Sequence, residues 1–558
     1  MMRSLLLTIA TLSSSTVLAQ GAPADLIIRD AHIVTVDPRF SIAQAAAIRD
    51  GKFIAVGTDA AVLKTRGPKT EVVDLRGQTV LPGFNDTHVH LTAGKDLETE
   101  VDLTHIGSIK DIQAAIAARV KQSKPDEPIV GTRGWWEYQL AEGRLPTRAD
   151  LDAVAPNNPV MIPGPHYVIA NSLALKLAAV TRDTLDPQGG QIYKDANGEP
   201  TGLLMDNASR FVRKFMPKPT ETQQIAGMKR VLALVNSHGL TSAGDPSGSV
   251  EDAAMYRRLR DQGLLTVRLD FAYNIDPAEP LDKAEAELKA LPKPGADGDG
   301  MFRADEIGET GLDGAELTAL LEHDYPGKPG YRGLQKVPTE QFKRFAALVA
   351  KYNYRLRPHA VGDAAIDEAL DAFEYANAQT SLSGRRWMID HAFLLGPQHY
   401  ARVKRLGLII NSQYMHNYEL GALILKAWKR PLADRSEPYA EWLRNGLMFA
   451  GGSDGPISYY AEPLKEIYGE VTRGTQWGGR LGPDQGISRA DAIRSVTING
   501  AYTTFEEKVK GSIEPGKYAD FVVLSGDVLK VPAEQIRDLQ VRATVLGGRT
   551  VYGSLGVR

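Results

Sequence analysis

The sequence contains no cysteine among its 558 residues. This absence excludes disulfide bonds, a lipid-anchored cysteine, a thiolate metal ligand and a cysteine nucleophile. Any metal site in this protein must therefore be built from histidine and carboxylate side chains.

The sequence also has no large excess of positive or negative charge, and it has few long apolar runs. Lys and Arg total 65 and Asp and Glu total 68, so the net charge is only −3. We find no basic stripe of the kind that nucleic-acid binding requires. Away from the N-terminus, no apolar run approaches the roughly 18 residues of a membrane span. We therefore expect no nucleic-acid partner and no membrane span, whereas homo-oligomerisation stays open.

The N-terminus has a different character from the rest of the chain. The segment MMRSLLLTIATLSSSTVLAQ places Arg3 before an apolar stretch that begins at Leu5 and ends on small residues at Ala19. These three parts, in this order, are typical of a secretory signal peptide, here residues 1–19, cleaved after Ala19. The alternative is a frayed N-terminal helix. With a signal peptide the mature protein would be periplasmic or secreted.

Both ends of the remaining chain have the pattern of short strands separated by turns. ADLIIRDAHIVTVDP (24–38) and GSIEPGKYADFVVL (511–524) are β-branched runs broken by Asp, Gly and Pro. The pattern predicts one small β domain made from residues 20–80 and 506–558. Residues 81–505 would then form a separate unit inserted between its two halves.

The middle of the chain alternates helical and strand-like segments. Helix-period stretches such as TEQFKRFAALVAKYN (339–353) separate short apolar runs. This alternation predicts a parallel sheet, either doubly wound or closed into a (β/α)₈ barrel. No GxGxxG or Walker sequence supports the nucleotide-binding version. Residues from about 95 to 220 break the rhythm and are predicted to be an insertion after the first strand.

Two histidines stand one residue apart in FNDTHVHL (84–91). Side chains two apart on a strand face the same way, so His88 and His90 point to one side and Val89 to the other. Two converging neutral imidazoles suit a zinc-like ion. Alone, such a pair could equally be surface residues or hydrogen-bonded residues.

Three further polar residues end short apolar runs: His359 in RLRPHA, His391 in RWMIDHAF and Asp454 in GLMFAGGSDGP. Barrel active sites are built where parallel strands pass into loops. Each residue could instead make an ordinary hydrogen bond or turn, but their recurrence favours a divalent-metal site. The metal would activate a water, Asp454 would be the general acid and base, and His391 would help to polarise the scissile carbonyl. This chemistry cleaves amides, related C–N bonds or esters.

Longer motifs carry a resemblance to a known family. They include LPGFNDTHVHL, NSLALKLA, RPHAVGDAAIDEALDAFE, IDHAFLL, GGSDGPI and TINGAYTTFEEKVKGSIEPGKYADFVVL. The chain resembles the amidohydrolase superfamily over nearly its whole mature length, in the branch of the N-substituted formamide deformylases and related exported hydrolases. The resemblance implies an α/β fold: a distorted (β/α)₈ TIM barrel, with a metal at its strand ends and a β-sandwich made from both chain ends.

The resemblance also implies a set of metal ligands. His88 and His90 match the ligands of strand one, and the later matches are His359 on strand five, His391 on strand six and Asp454 on strand eight. On strand four, relatives often have a lysine four residues before Asp-Gly, and Glu309 stands there in this sequence. Glu306 is the alternative. One or two divalent ions are implied, with zinc expected.

The substrate pocket is the least determined part of the site. Relatives have an aromatic residue and a histidine in places similar to Trp135, Trp136 and His166, and strand seven brings His416 toward the barrel mouth. These aromatic residues could instead pack the core of the insertion. We expect an exported metal-dependent hydrolase of an amide-type bond in a small molecule. The alternatives are an ester or lactone hydrolase, and a non-catalytic binding or regulatory protein with the same fold.

Overall fold

The protein is described by a computed structural model over residues 22–104, 106–135, 137–164, 166–456 and 461–556. The predicted signal peptide, residues 1–19, and Trp136 lie outside these ranges. Among the helices within them, none has both the length and the apolar character needed to cross a lipid bilayer.

The centre of the fold is a sheet of eight parallel strands, each paired with the next strand along the chain. In chain order they are β1 (Phe84–Asp86), β2 (Leu240–Gly248), β3 (Arg268–Tyr273), β4 (Phe302–Gly311), β5 (Arg355–Ala360), β6 (Met388–His391), β7 (Ile409–Ser412) and β8 (Phe449–Gly451). Backbone bonds join the ends of β1 and β8: the Thr87 N–H donates to the Gly451 carbonyl (3.2 Å) and the Asp454 N–H donates to the His88 carbonyl (2.7 Å). The sheet is therefore a nearly closed barrel and not a doubly wound sheet.

Helices cover the outside of the barrel. They are Glu221–Ser237, Val250–Asp261, Leu281–Ala290, Thr339–Lys351, Asp363–Gln379, Pro397–Leu406, Tyr414–Trp428, Tyr439–Arg444, Pro463–Thr472, Arg489–Ser495 and Ile498–Thr503. Local sequence sets several of their ends. Thr220 and Ser249 each accept a bond from the backbone N–H three residues later, and the side chain at that position bonds back to the cap. Gly407 ends its helix in the left-handed conformation that glycine adopts most easily.

Two further sheets pack together as a sandwich. One has four strands, in the order Lys52–Gly57, Ala45–Arg49, Leu26–Arg29 and Glu71–Asp74. The other has six, in the order Arg549–Gly553, Val541–Leu546, Phe521–Leu524, Thr79–Pro82, His32–Val34 and Ile42–Ala43. A shared apolar core that includes Ile33, Phe53 and Phe521 lies within this unit. Both chain ends therefore contribute to one β-sandwich, while the limits 20–80 and 506–558 stay predictions.

A five-stranded sheet lies in the chain between β1 and β2. Its order is Gly190–Lys194, Pro200–Asp206, Tyr167–Ala170, Val160–Pro163 and Ile129–Val130, and its helices include Ile109–Val120, Arg148–Asp152, Ser172–Leu177 and Arg210–Arg213. Two separate apolar clusters within this segment give the inserted unit a core of its own. The alternation of strand-like and helical segments did not predict this sheet, because the sheet is mixed and has no repeated strand–helix units.

Candidate metal centre

Alternation along the barrel strands separates apolar from ionic side chains. Ile307, Leu356 and Ile389 are fully buried members of the large apolar cluster that the strands share with the outer helices. Their neighbours in sequence, such as Arg357 and Asp390, point the opposite way into the barrel. The barrel interior therefore holds ionic side chains, and the centre described below lies at its carboxyl-terminal end.

Six side chains that the sequence predicts as metal ligands meet at this end of the barrel. They come from five strands: His88 and His90 follow β1, Glu309 lies near the end of β4, His359 and His391 lie at the ends of β5 and β6, and Asp454 follows β8. Four of them are at least nine-tenths buried, whereas the side chains of Glu309 and His90 are 15% and 26% exposed. Backbone hydrogen bonds between the ends of β1 and β8 close the barrel. They bring residues some 360 positions apart in the sequence into this cluster.

Glu309 lies between two pairs of histidines. Its Oε1 is 2.7 Å from His359 Nδ1 and 2.8 Å from His391 Nε2. Its Oε2 is 3.7 Å from His88 Nε2 and 3.6 Å from His90 Nε2. One carboxylate oxygen thus faces each histidine pair, which is the arrangement that a bridging carboxylate requires.

Asp454 lies on the other side of the β1 histidines. Its Oδ1 is 2.9 Å from His90 Nε2 and 3.5 Å from His88 Nε2. Its Oδ2 is 2.8 Å from His416 Nε2. Asp454 and His391 both have φ in the left-handed region, at 59° and 69°, which costs non-glycine residues energy and is tolerated where the surroundings fix it.

The charges of this cluster fit a divalent cation. Burial would raise the pKa of Glu309, but His88 and the bonds from His359 and His391 lower it well below its usual value. Against the effect of burial, the contacts with His416 and the β1 histidines likewise hold the pKa of Asp454 well below its usual range. Although burial opposes it, Asp390 and Glu309 raise the pKa of His88 to about 10. The carboxylates are therefore ionised and attract positive charge, which a metal ion supplies in place of protons.

One buried atom supports the same conclusion. His88 Nε2 is fully buried and has no hydrogen-bond partner among the described residues, yet it faces Glu309 and Asp454. Buried polar atoms are normally paired. A divalent ion coordinated by imidazole nitrogen and carboxylate oxygen would satisfy it. The residues present therefore fit a metal site, with four histidines, one glutamate and one aspartate as the available ligands.

Arg357 and Asp390 form a supporting network that sequence reasoning missed. Arg357 donates to both oxygens of Asp390, at 2.9 and 3.0 Å, and to the Thr87 carbonyl at 3.0 Å. Its Nη2 lies 3.2 Å from His88 Nδ1. The spacing could have indicated that Arg357 points into the barrel, because it stands two residues before His359 on β5 and so faces the same interior.

The alternative strand-four carboxylate, Glu306, does not join the histidines. Its two oxygens contact Arg355 Nη2 at 2.6 Å and Arg357 Nη1 at 3.1 Å. It lies deeper in the barrel, three residues before Glu309 on β4, and is fully buried. Since these arginines already neutralise it, the geometry favours Glu309 as the metal-binding carboxylate.

The predicted substrate-binding residues have different positions. The His166 ring lies 5.4 Å from the His359 ring, and its Nδ1 is 3.0 Å from Asp206 Oδ1, which also contacts Lys336 Nζ at 3.0 Å. His416 is buried between Glu316 (3.0 Å) and Asp454, so it contacts a candidate ligand rather than the cavity, contrary to its predicted role.

Trp135 does not line the site. Its side chain is fully buried in the apolar core of the insertion, against Tyr167. The prediction that it binds substrate is therefore wrong, because its ring stabilises the insertion and has no exposed surface. Trp136 lies outside the described residues.

A polar cavity of about 240 Å³ opens onto the centre. Its lining includes the candidate ligands His90, Glu309, His359 and Asp454, together with His166, Arg133, Arg210, Lys336, Asn207, Asn274 and Asp276. Arg133, Arg210 and Lys336 are cationic groups that sequence reasoning missed, since they come from the insertion and from the loop after β4. His391 is not part of this lining.

Ser453 stands in a Gly-Gly-Ser-Asp-Gly segment, which has the spacing of a serine nucleophile motif. In the structure its hydroxyl donates to Asp86 Oδ2 (2.5 Å) and accepts a bond from the Gly455 N–H (3.0 Å). Its side chain is buried and has no histidine partner in the described part of the chain. Ser453 therefore fixes the loop that carries Asp454 and does not form a nucleophile–base pair.

A nearly closed parallel barrel with this candidate ligand cluster at its strand ends is an arrangement that suits a metal-dependent hydrolase. The profile of the Amidohydro_3 amidohydrolase family matches residues 71–552, and the chain belongs to this family. It is 28% identical to N-substituted formamide deformylase of Arthrobacter pascens over 95% of this chain and 99% of that protein. It is 29% identical to Protein LONG AFTER FAR-RED 3 of Arabidopsis thaliana over 97% and 94% of the two chains.

A solved structure has the same fold. An uncharacterized metal-dependent hydrolase from Pyrococcus horikoshii OT3 superposes with a TM-score of 0.71 at 24% identity, covering 91% of this chain and 99% of that one. The prediction of a metal-dependent hydrolase of the amidohydrolase superfamily is thus confirmed at the level of fold and family.

Proposed function

We propose that this protein hydrolyses an amide-type C–N bond in a small molecule, using one or two divalent ions held by His88, His90, Glu309, His359, His391 and Asp454. The position of Glu309 carries the proposal, since each of its oxygens faces a different histidine pair. Zinc is the expected ion, because imidazole nitrogen and carboxylate oxygen are among its usual ligands. Two ions are expected if both histidine pairs are used.

Asp454 is the proposed general base and acid. The contacts with His416 and the β1 histidines hold its pKa well below the usual range, against the effect of burial. It lines the polar cavity, and its Oδ2 contacts His416 while its Oδ1 faces the β1 histidines. When bound, a divalent ion supplies an activated water and a Lewis acid for the carbonyl. Asp454 would take the proton of the attacking water and deliver it to the departing nitrogen.

His391 and His166 have separate proposed roles. His391 is 1% exposed and lies outside the cavity lining, so we assign it to the metal and withdraw its predicted contact with the scissile carbonyl. His166 lines the cavity, and Asp206 fixes its Nδ1, leaving the rest of the ring to contact substrate. Lys336 neutralises Asp206 and so helps to hold this orientation.

One relative supports the amide assignment by its name. The similarity to N-substituted formamide deformylase extends over nearly the full length of both chains. Against a purely regulatory protein stands the intact ligand set, since all six positions carry side chains able to bind a metal. An ester or lactone substrate would use the same residues, so a direct comparison of substrates has to separate the two.

The test combines metal analysis with a substrate screen. Purified protein should hold between one and two equivalents of divalent metal and should hydrolyse at least one N-formyl, N-acyl or aryl amide. Matched esters are the comparison, and a higher kcat/KM for the esters would replace the amide proposal with an esterase. Less than a tenth of an equivalent of metal, with no recovery on adding zinc or manganese, would reject the metal centre itself.

We also propose that the protein is exported. The support is the order of charged, apolar and small residues in positions 1–19 of the sequence. Expression in a Gram-negative host should give a periplasmic protein whose first residue is Gln20. A product that keeps residues 1–19 and stays in the cytoplasm would contradict export without affecting the hydrolase proposal.

A further inference from the structure

A second cavity, of about 500 Å³, adjoins the candidate metal centre. It lies between the sheet of the insertion, the loop that follows β4 and the helix Tyr414–Trp428. Its described lining is mainly apolar, with Leu145, Tyr167, Leu203, Met205, Leu317 and Leu423. The polar cavity beside the metal ligands has a different character, because cations and amides line it.

Two side chains connect the second cavity to the candidate centre. His166 lines both cavities, and its ring lies 5.4 Å from that of His359. Glu316 also lines the second cavity and contacts His416, which contacts Asp454. Two side chains, Glu316 and His416, therefore separate a group held in the second cavity from the proposed general base.

Size and chemistry limit what this cavity can hold. A dry cavity of about 150 Å³ lined by apolar side chains is large enough to bind benzene, so 500 Å³ exceeds what one ring needs. Three charged side chains, Glu137, Glu316 and Lys426, also line the cavity; Glu316 already contacts His416 and Lys426 is exposed. The rest of the wall is mainly apolar and cannot pair a charged group, whose burial would be costly. The cavity therefore suits an uncharged alkyl or aryl group, while the polar end of the same molecule occupies the cavity at the metal ligands.

We propose that the second cavity is a binding subsite for a bulky apolar group of the substrate, so that the substrate class is a small amide with an aryl or long alkyl substituent. This inference rests on the proposed amide hydrolysis. His166 stands at the junction of the two cavities and separates the apolar substituent from the scissile bond. Each methylene buried in the subsite should raise kcat/KM by about fourfold, since its transfer from water is worth about 0.8 kcal/mol.

The first measurement compares kcat/KM within two series of substrates, and the reactive group is constant within each series. One is a series of N-substituted formamides with methyl, butyl, benzyl and 2-naphthylmethyl groups on nitrogen. The other is a series of N-methyl amides with the same groups on the carbonyl. We expect kcat/KM to rise by a hundredfold or more from methyl to naphthylmethyl in one of the two series. The series that shows this rise identifies which side of the amide enters the subsite.

A pair of matched variants locates the effect. Ala422 lines the second cavity from an exposed position of the helix Tyr414–Trp428, so Ala422→Trp narrows the cavity without disturbing a core. Ala118 is also exposed, on the helix Ile109–Val120, and takes no part in either cavity, so Ala118→Trp is the control. In Ala422→Trp the ratio of kcat/KM for naphthylmethyl to that for methyl should fall by more than tenfold, mainly through KM.

A binding measurement separates this inference from the proposed function. Protein treated with a chelator is titrated with N-(2-naphthylmethyl)formamide, and Ala422→Trp should weaken binding at least tenfold relative to Ala118→Trp. Binding of this kind without any hydrolysis would keep the apolar subsite and reject the hydrolase proposal. Hydrolysis with no rise in kcat/KM along either substrate series would reject the subsite and keep the hydrolase. Equal affinity in the two tryptophan variants, or no binding to the wild type, would also overturn the subsite.

Discussion

Arg357 and Asp390 form a buried ion pair through two hydrogen bonds, of 2.9 and 3.0 Å, beside the imidazole of His88. Neither side chain is more than 1% exposed. Burial opposes ionisation of Asp390, but Arg357 and His88 hold its pKa below the usual range. Because Asp390 Oδ2 is 3.5 Å from His88 Nδ1, this pair controls the side of the imidazole that faces away from Glu309 and Asp454.

We predict that Asp390→Asn weakens metal binding by about 10- to 100-fold, as is typical when a group that orients a ligand histidine is changed. The dissociation constant for zinc, measured by competition with a chromogenic chelator, gives the answer. Asp261→Asn, at an exposed side chain of a barrel helix, is the control and should bind zinc as the wild type does. Wild-type affinity in folded Asp390→Asn would show that the ion pair serves only the barrel core.

Asp454→Asn should keep its metal and lose turnover by about a hundredfold or more, since an amide cannot accept and return the proton. The asparagine retains the shape of the side chain and can still contact His416. Single-turnover rates on the best amide substrate, together with metal content, measure the two effects separately. If the variant retained near-normal turnover, the proton-transfer role would have to be assigned elsewhere.

Glu309→Gln should lower metal stoichiometry, because a neutral amide bridges two cations poorly. Glu306→Gln is the matched control on the same strand, and its oxygens contact Arg355 and Arg357 rather than the histidines. Metal content after dialysis should fall by half or more in the first variant and stay unchanged in the second. The reverse result would return the metal-binding role to Glu306.

The ion pair of Arg268 and Asp520 should stabilise the contact between barrel and sandwich. Arg268 on β3 donates to both Asp520 oxygens, at 2.7 and 3.0 Å, and both side chains are buried. Asp520→Asn leaves the buried guanidinium without its counter-charge and should cost about 3–5 kcal/mol in unfolding free energy.

Urea denaturation followed by circular dichroism measures this loss. Glu199→Gln removes a carboxylate from an exposed pair with Arg182 and should leave the midpoint almost unchanged. Replacing both partners, as Arg268→Met with Asp520→Leu, should recover part of the loss because no charge is left buried alone. Equal midpoints for wild type and Asp520→Asn would show that the pair contributes nothing net.

The convergence of the candidate ligands at one end of the barrel was predictable in part because strand periodicity and strand ends are local properties. His88 and His90 share one face by their spacing alone, and His359, His391 and Asp454 each end an apolar run. Glu309 could be placed only through the family motif, since it differs from the lysine expected there. Trp135 was misassigned because an aromatic residue in an insertion has the same sequence pattern whether it lines a cavity or fills a core.

The sequence by itself determined the alternating strands and helices, the absence of thiol chemistry and the supply of histidine and carboxylate ligands, because each follows from composition or from spacing along one element. Only the tertiary structure decided which oxygen of Glu309 faces which histidine pair, that Glu306 belongs to the arginines instead, and that an apolar cavity meets the centre at His166. These relationships join residues tens to hundreds of positions apart. No local pattern encodes the distance between such residues; barrel closure and the packing of the insertion against the barrel set it.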